Sequence, residues 1–293
     1  MDGVLVVCKP VGCTSHDVVA HLRRLFGIKK VGHAGTLDPI ASGVLVALLG
    51  SATRLAEYAT GHDKTYLAGV TLGVETDSCD TTGTETSRTS ATHITRAAVE
   101  SVLERFRGDI LQMPPMYSAV KVYGKRLYKL ARQGVEAPRE ARPLTVHNLE
   151  LVDFTSGEAC QLLLRMTVSS GFYVRSLAAD VRAALGVGGC MHSLVRERSG
   201  PFTLHQAVTL ENLEATEPAS RWDSLLPSWH AAIALPLVEL DADGSRRFMN
   251  GMSVAADQPE GLMRVTGCVQ GFLGIGQVDD SGCLHPVKVL CHP

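Results

Sequence analysis

The sequence predicts an α+β fold followed by a small all-β module. Three observations carry this. Over the first 230 or so residues, apolar strand-like runs and amphipathic helical stretches alternate without the strand–helix–strand rhythm of a parallel sheet. From about residue 231 the texture changes to short β-like runs cut by turns: LPLVEL, DADG, GLMRVTG, GFLGIGQV, DDSG and HPVKVL. The 293 residues are 45% hydrophobic and 20% charged, the balance of a folded chain rather than a disordered one. There is no internal repeat and no low-complexity tract, so a division near residue 229 is the expected domain boundary.

The elements follow in order. GVLVVCKP, residues 3–10, reads as a buried strand stopped by Lys9-Pro10. Thr14 or Ser15 caps a helix with Val18, Val19, Leu22 and Leu25 or Phe26 on one face, and Gly27 ends it. GHAGTLDPIASG, residues 32–43, is a glycine-rich connection into the strand GVLVALLG, 43–50, and SATRLAEYA then makes a short helix. KTYLAGVTLG, residues 64–73, is rich in β-formers, and residues 75–95 form a loop or hairpin. Val99, Val102, Leu103 and Phe106 have helical spacing. Leu162, Leu164, Met166 and Val168 alternate along a strand, and YVRSLAADVRAALG, residues 173–186, is a helix closed by Gly186.

Charge and cysteine usage narrow the functions. The whole chain carries a formal net charge of −2, but residues 107–142 hold eight basic side chains against three acidic ones, a local +5. The eight are Arg107, Lys121, Lys125, Arg126, Lys129, Arg132, Arg139 and Arg142, with Tyr117, Tyr123 and Tyr128 between them. Cations that track phosphates, mixed with aromatic rings that stack on bases, suit RNA; a solvated helix face is the plain alternative. From residue 231 onward, four basic residues face seven acidic ones, a local −3. The eight cysteines form no C-x-x-C pair and have no zinc-ligand spacing, so no metal is expected. With no secretory start and no apolar run of membrane-spanning length, reduced thiols in a cytoplasm are the expectation, with no membrane partner.

Asp38 raises the chemical question. Gly32 and Gly35 open backbone conformations closed to other residues, and Pro39 restricts Asp38 to extended geometry. A carboxylate fixed in this way at a sheet edge can act as a nucleophile or general base. The same residues also describe a plain turn.

Five ordered blocks resemble the TruB-type tRNA pseudouridine synthases: VVCKPVGCTSHDVV (6–19), GHAGTLDPIASGVL (32–45), KTYLAGVTLGVETDSCDTTG (64–83), the basic stretch 116–146 and GFYVRSLAADV (171–181). The resemblance covers nearly all of residues 3–215 and is weaker beyond. It implies a pseudouridine synthase domain over 1–228, built on a mixed, largely antiparallel sheet flanked by helices. An RNA-clamping insertion would occupy about 107–142, and a PUA-like RNA-binding domain 229–293. It implies conversion of uridine-55 in the tRNA TΨC loop to pseudouridine by base flipping, without cofactor, metal or guide RNA, by a monomer that binds the tRNA T-arm.

By the same resemblance Asp38 is the nucleophile and Arg175 its partner. Tyr66 stacks on the flipped uracil, while Tyr173 and Leu194 line the pocket. His33 fills the gap left by the base, and Lys9 either holds the Asp38 loop or contacts RNA. Cys8, Ser170 and Phe172 depart from the family pattern, where aspartate, lysine and threonine are frequent. A non-catalytic RNA adaptor is the rival reading. A hydrolase using His33 and Asp38 lacks a nucleophile elbow.

Overall fold

The computed structural model describes residues 2–118, 120–122, 124–131, 133–135, 137–269 and 271–290, with only the backbone of Lys121, Arg126 and Tyr128. Tyr123 and Arg132, two members of the basic, tyrosine-bearing stretch, lie outside the described residues, as do the side chains of those three.

Strands β1 (Gly3–Lys9), β2 (Val31–Ala34), β3 (Ala41–Leu49), β4 (Lys64–Leu72), β5 (Gly108–Gln112), β6 (Arg142–Thr155), β7 (Gln161–Val168), β8 (Gly189–Ser199) and β9 (Val208–Thr209) form the main sheet. Its order is β9-β1-β3-β8-β4-β7-β6-β5, with β2 added to β3 and a tenth, two-residue strand, Phe202–Thr203, added to β8. Pairing is antiparallel except at β1/β9 and β3/β8. The expected α+β architecture with a mixed, largely antiparallel sheet is the observed one. Helices α1 (Ser15–Phe26), α2 (Arg96–Leu103) and α3 (Val174–Leu185) cover it.

The apolar patterns explain the layers. β1 and β3 are buried on both faces, so they read as continuous apolar runs. On one face Leu5, Val7, Leu45, Ala47 and Leu49 pack against Val18, Val19, Leu22 and Phe26 of α1. On the other, Val4, Val6, Val44, Val46 and Leu48 meet Ala52, Leu55 and Phe202. β7 covers only one layer and alternates: Leu162, Leu164, Met166 and Val168 face α2 and α3. Thr14 caps α1 by accepting from the Asp17 N–H, and Gly27 closes it in the left-handed region. The strand expected at 43–50 begins two residues earlier, at Ala41. The segment 75–95 resolves into a hairpin, Val74–Thr76 with Glu85–Arg88.

The terminal sheet contains β10 (Leu237–Leu240), β11 (Val254–Ala255), β12 (Gly261–Gly267), β13 (Gly271–Val278) and β14 (Cys283–Val289), in the order β10-β12-β13-β14-β11. The DADG stretch, read as a turn, instead starts helix α4 (Ala242–Met249), because the Asp241 carboxylate accepts from the Gly244 N–H and nucleates the first turn. Phe248 of α4 is fully buried against this sheet. Ile275 and Leu290 join the apolar cluster of Val4, Val6 and Val46, so the terminal sheet is fused to the main one through a shared core. Arg54 Nη1 donates to the Val289 carbonyl at 2.6 Å, and Lys288 Nζ to that of Arg54 at 2.8 Å.

Candidate active site

The loop between β2 and β3 is clamped from two sides. On one side, Ser15 Oγ donates to the Leu37 carbonyl (3.2 Å) and accepts from the Leu37 N–H (2.9 Å). Gly12 N–H donates to the Pro39 carbonyl at 2.8 Å. On the other side stands Arg196 of β8, only 1% exposed. Its guanidinium donates to the carbonyls of Val44 (2.7 Å), Gly35 (3.0 Å) and Thr36 (3.3 Å). Gly35 has φ +94 and Gly43 φ +100; a Cβ on Gly43 would lie 2.3 Å from the Arg196 carbonyl, so β3 and β8 approach this closely only with glycine there. The Ala41 N–H then donates to the Asp38 carbonyl at 3.0 Å and closes the turn that starts β3. The loop is a turn, as its composition says, and that turn presents Asp38.

Arg175 meets the carboxylate with a fork. Its Nε donates to Asp38 Oδ2 at 2.9 Å and its Nη2 to Oδ1 at 3.1 Å; Nη2 also donates to the Tyr117 carbonyl at 2.8 Å. This two-point geometry fixes the carboxylate plane and is open to arginine but not to lysine. Arg175 is 6% exposed while the Asp38 side chain is 34% exposed, so the carboxylate faces the opening and its partner lies beneath. Arg175 sits in the first turn of α3 and is buried there.

Apolar walls flank the pair. Leu37, Ala41, Tyr66, Phe172 and Leu194 belong to one packed cluster with α3. Tyr66 and Leu194 are 8% and 6% exposed. In the β4/β8 ladder Arg196 stands opposite Tyr66 and Leu194 opposite Ala68, which puts Tyr66, Leu194 and Arg196 on one face. Tyr173, the residue before α3, is half-buried, and burial pushes its phenol above the ordinary value, favouring the neutral hydroxyl.

His33 is on β2, opposite Ala47, rather than in the loop, because the Gly-His-Ala run extends the ladder before the chain turns at Gly35. Its Nδ1 is buried with no hydrogen-bond partner among the described residues. Burial, with the Arg196 charge next, lowers its pKa and favours the neutral ring. Lys9 is fully buried, and its Nζ donates to the carbonyls of Pro10 (2.8 Å) and Cys13 (2.7 Å). Those bonds brace the segment that leads to Gly12 and Ser15, the loop's clamps. Burial pulls its pKa down.

Two of the three departures have structural accounts. Phe172 is buried in the cluster with Tyr66 and Leu194. Ser170 Oγ donates to the Thr60 carbonyl at 2.9 Å and accepts from Lys64 Nζ at 3.2 Å. Cys8 is half-buried on β1, opposite Val44 and Thr209. Among the described residues no group of three His, Cys, Asp or Glu could hold a metal, and no helix is long and apolar enough to cross a membrane.

Lys64 yields a prediction. It is 5% exposed, and its Nζ also donates to the carbonyls of Thr60 (2.6 Å) and His62 (2.5 Å). Burial, with the like charge of Arg196, pulls its pKa from 10.5 to about 8. Between those values the unfolded chain holds a proton that the folded chain has released, so stability rises with pH across that window. Below pH 8 both states are protonated and the cost of burying the charge is present in full. Urea denaturation at pH 7, 9 and 10 is expected to show wild type gaining stability relative to Lys64→Met as pH rises. A pH-independent difference would mean that Lys64 titrates normally.

Sequence reasoning missed Ser15, Gln112 and Arg196. Gln112, at the end of β5, is 1% exposed. Its amide accepts from the Tyr173 N–H (2.8 Å) and donates to the Tyr173 carbonyl (3.1 Å).

Known proteins share this arrangement of chain. Residues 23–174 match the N-terminal domain of the TruB family pseudouridylate synthases, residues 175–227 the tRNA pseudouridylate synthase B C-terminal domain, and residues 236–290 the C-terminal domain of pseudouridine synthase II TruB. A tRNA pseudouridine synthase B of Dehalococcoides mccartyi is 44% identical over 99% of this chain and 96% of its own. The protein of that name from Symbiobacterium thermophilum is 49% identical over 87% and 84%. Among solved structures, a chain of a Cbf5-Nop10-Gar1 complex superposes with TM-score 0.74 at 27% identity, covering 99% of this chain and 85% of that one. A carboxylate gripped by a buried arginine, on a mixed sheet whose sequence matches this family over residues 23–227 and 236–290, leaves one assignment: the chain belongs to the TruB family of pseudouridylate synthases.

Proposed function

We propose that the chain isomerises uridine-55 in the TΨC loop of tRNA to pseudouridine, with Asp38 as the nucleophile. The observation that carries this is the Asp38–Arg175 fork, open to solvent on the carboxylate side, with Tyr66 and Leu194 in the apolar cluster beside it and the half-buried Tyr173 within its electrostatic reach. The reaction breaks the N-glycosidic bond, turns the uracil and rejoins it through C5, and the C5 proton passes to solvent. Nothing is oxidised, and a positioned carboxylate beside the apolar side chains of Tyr66 and Leu194 supplies what the step needs. Attack on the ribose carbon, attack on the base and removal of a ribose proton all start from this same carboxylate.

The target base is stacked inside the T loop, so it is extruded first, at a cost of a few kcal/mol. Tyr66 receives the flipped uracil. His33, with its unmet buried Nδ1, fills the vacated stack. The exposed Lys125 and Lys129 of the insertion meet the T-arm backbone. The chain acts as a cytoplasmic monomer, without cofactor, metal or guide RNA. The relatives named for tRNA are 42–49% identical, whereas a chain of an archaeal box H/ACA sRNP is 25% identical.

The test uses purified protein and an unmodified tRNA transcript tritiated at uracil C5, with no guide RNA. Tritium is expected in water, with pseudouridine mapped to position 55 alone. Absence of release, or release from another uridine, overturns the assignment.

A further inference from the structure

The basic insertion is stitched to the catalytic carboxylate by its own stem. β5 and β6 are its two roots, with Gln112 and Arg142 opposite each other in the ladder. Tyr173, the residue that caps α3, makes no side-chain capping bond. Both its backbone polar groups are taken by the buried Gln112 amide. The next residues of the insertion continue the seam: Ser176 Oγ donates to the Met113 carbonyl at 2.9 Å, and Arg175 Nη2 to the Tyr117 carbonyl at 2.8 Å. That same Nη2 holds Asp38 Oδ1. Residues 112–117 therefore fix the turn of helix from which Arg175 reaches the carboxylate, and one guanidinium nitrogen touches both the insertion and Asp38.

We propose that the insertion acts on the chemical step as well as on RNA affinity, with Gln112 as the positioning residue that sets Tyr173 and Arg175 against Asp38. RNA seated on the insertion presses on its roots, and the seam passes that load to the Asp38–Arg175 fork. Gln112 is 1% exposed and its amide is taken up by the Tyr173 backbone, so it has no surface to offer RNA or the reacting atoms. Its loss leaves the phosphate-binding side chains in place and lets the fork drift. Misplacement of a catalytic group by a fraction of an ångström to an ångström costs roughly one to two orders of magnitude in rate. The proposal rests on the tRNA isomerase reading.

The experiment is a kcat and KM split with a double-mutant cycle, using the full chain and the tritiated T-arm transcript. Gln112→Met is expected to lower kcat about 10-fold. KM and T-arm affinity by filter binding should stay within about twofold of wild type. In an Arg175→Lys background the same change is expected to cost less than about twofold, because the fork it positions is already gone. Ser176→Ala removes one seam bond from a half-buried position and carries the same test if Gln112→Met does not fold; about a threefold loss confined to kcat is expected. An unchanged kcat, a loss confined to KM, or a full additive loss in the Arg175→Lys background overturns the coupling. Wild type that releases no tritium overturns the isomerase reading instead, and the two failures are distinct.

Discussion

Asp38→Asn is expected to remove turnover by a factor on the order of 10⁴ or more while the protein still folds and still binds the T-arm. The change is nearly isosteric, so the loop and its clamps at Ser15, Gly12 and Arg196 remain. On the proposed mechanism the nucleophile is what disappears, because a carboxamide oxygen does not form the covalent or proton-accepting step. The fork also suffers. Arg175 presents two donors to two carboxylate oxygens, and asparagine answers only one. The other guanidinium N–H faces an NH2 group across a site only 6% exposed on the arginine side. A fold cost of about 1–3 kcal/mol follows from that unmet donor, and thermal denaturation reads it separately from activity. Single-turnover tritium release with enzyme in excess measures the chemical step. Activity within tenfold of wild type would remove Asp38 from the nucleophile's place and leave the pocket to another residue.

What the sequence discloses depends on whether a feature is local. The cap at Thr14, the stops at Gly27 and Gly186 and the alternation from Leu162 to Val168 are properties of a few neighbouring residues, and each stands where its local chemistry puts it. Asp38 and Arg175 are 137 positions apart, and ordered resemblance across blocks, rather than spacing, brings them together. Arg196, Ser15 and Gln112 had no such signal. Their partners are backbone carbonyls and amides, which every residue has, so a sequence pattern cannot single them out.

The basic stretch shows the opposite error, where composition says too much. Arg107 donates to the Leu149 carbonyl and pairs with Glu104, and Arg139 donates to the Pro114 carbonyl. Arg107 ties the first root of the insertion to the main sheet and Arg139 serves the insertion's own structure, so fewer than eight of these cations are expected to be free for phosphate. The four cations of the terminal module are similarly engaged: Arg246 with Asp243, Arg247 with the Ser253 carbonyl, Arg264 with the Leu235 carbonyl and Lys288 with Glu57. Phosphate contact is therefore expected mainly from the larger domain.

Arg196→Met is expected to cost about 3 kcal/mol or more of stability and to lower kcat by at least tenfold. Arg196 places a positive charge at 1% exposure, and among the described residues its guanidinium hydrogen bonds go to backbone carbonyls and to no carboxylate. Burying such a charge is unfavourable, and methionine relieves that part. Three backbone carbonyls lose their donors in exchange: that of Val44 is buried and costs about 1–3 kcal/mol when unmet, while those of Thr36 and Gly35 are only part-buried, so water replaces some of what they lose. The sum favours destabilisation, and a chain of this size loses roughly 2–4 °C in Tm per kcal/mol. The carbonyls belong to Gly35, Thr36 and Val44, so the damage falls on both ends of the Asp38 loop. Methionine's volume keeps the neighbouring Tyr66 face filled, which separates loss of the clamp from loss of packing. Arg196→Lys keeps the charge but puts its donors on one nitrogen at the end of a shorter side chain. Lysine is expected to recover part of the stability and little of the rate, because three carbonyls spread over the loop need the width of a guanidinium. Thermal denaturation and single-turnover tritium release on the three proteins decide the matter. Equal Tm and equal kcat in Arg196→Met would show that Ser15 and Gly12 hold the loop without help from β8.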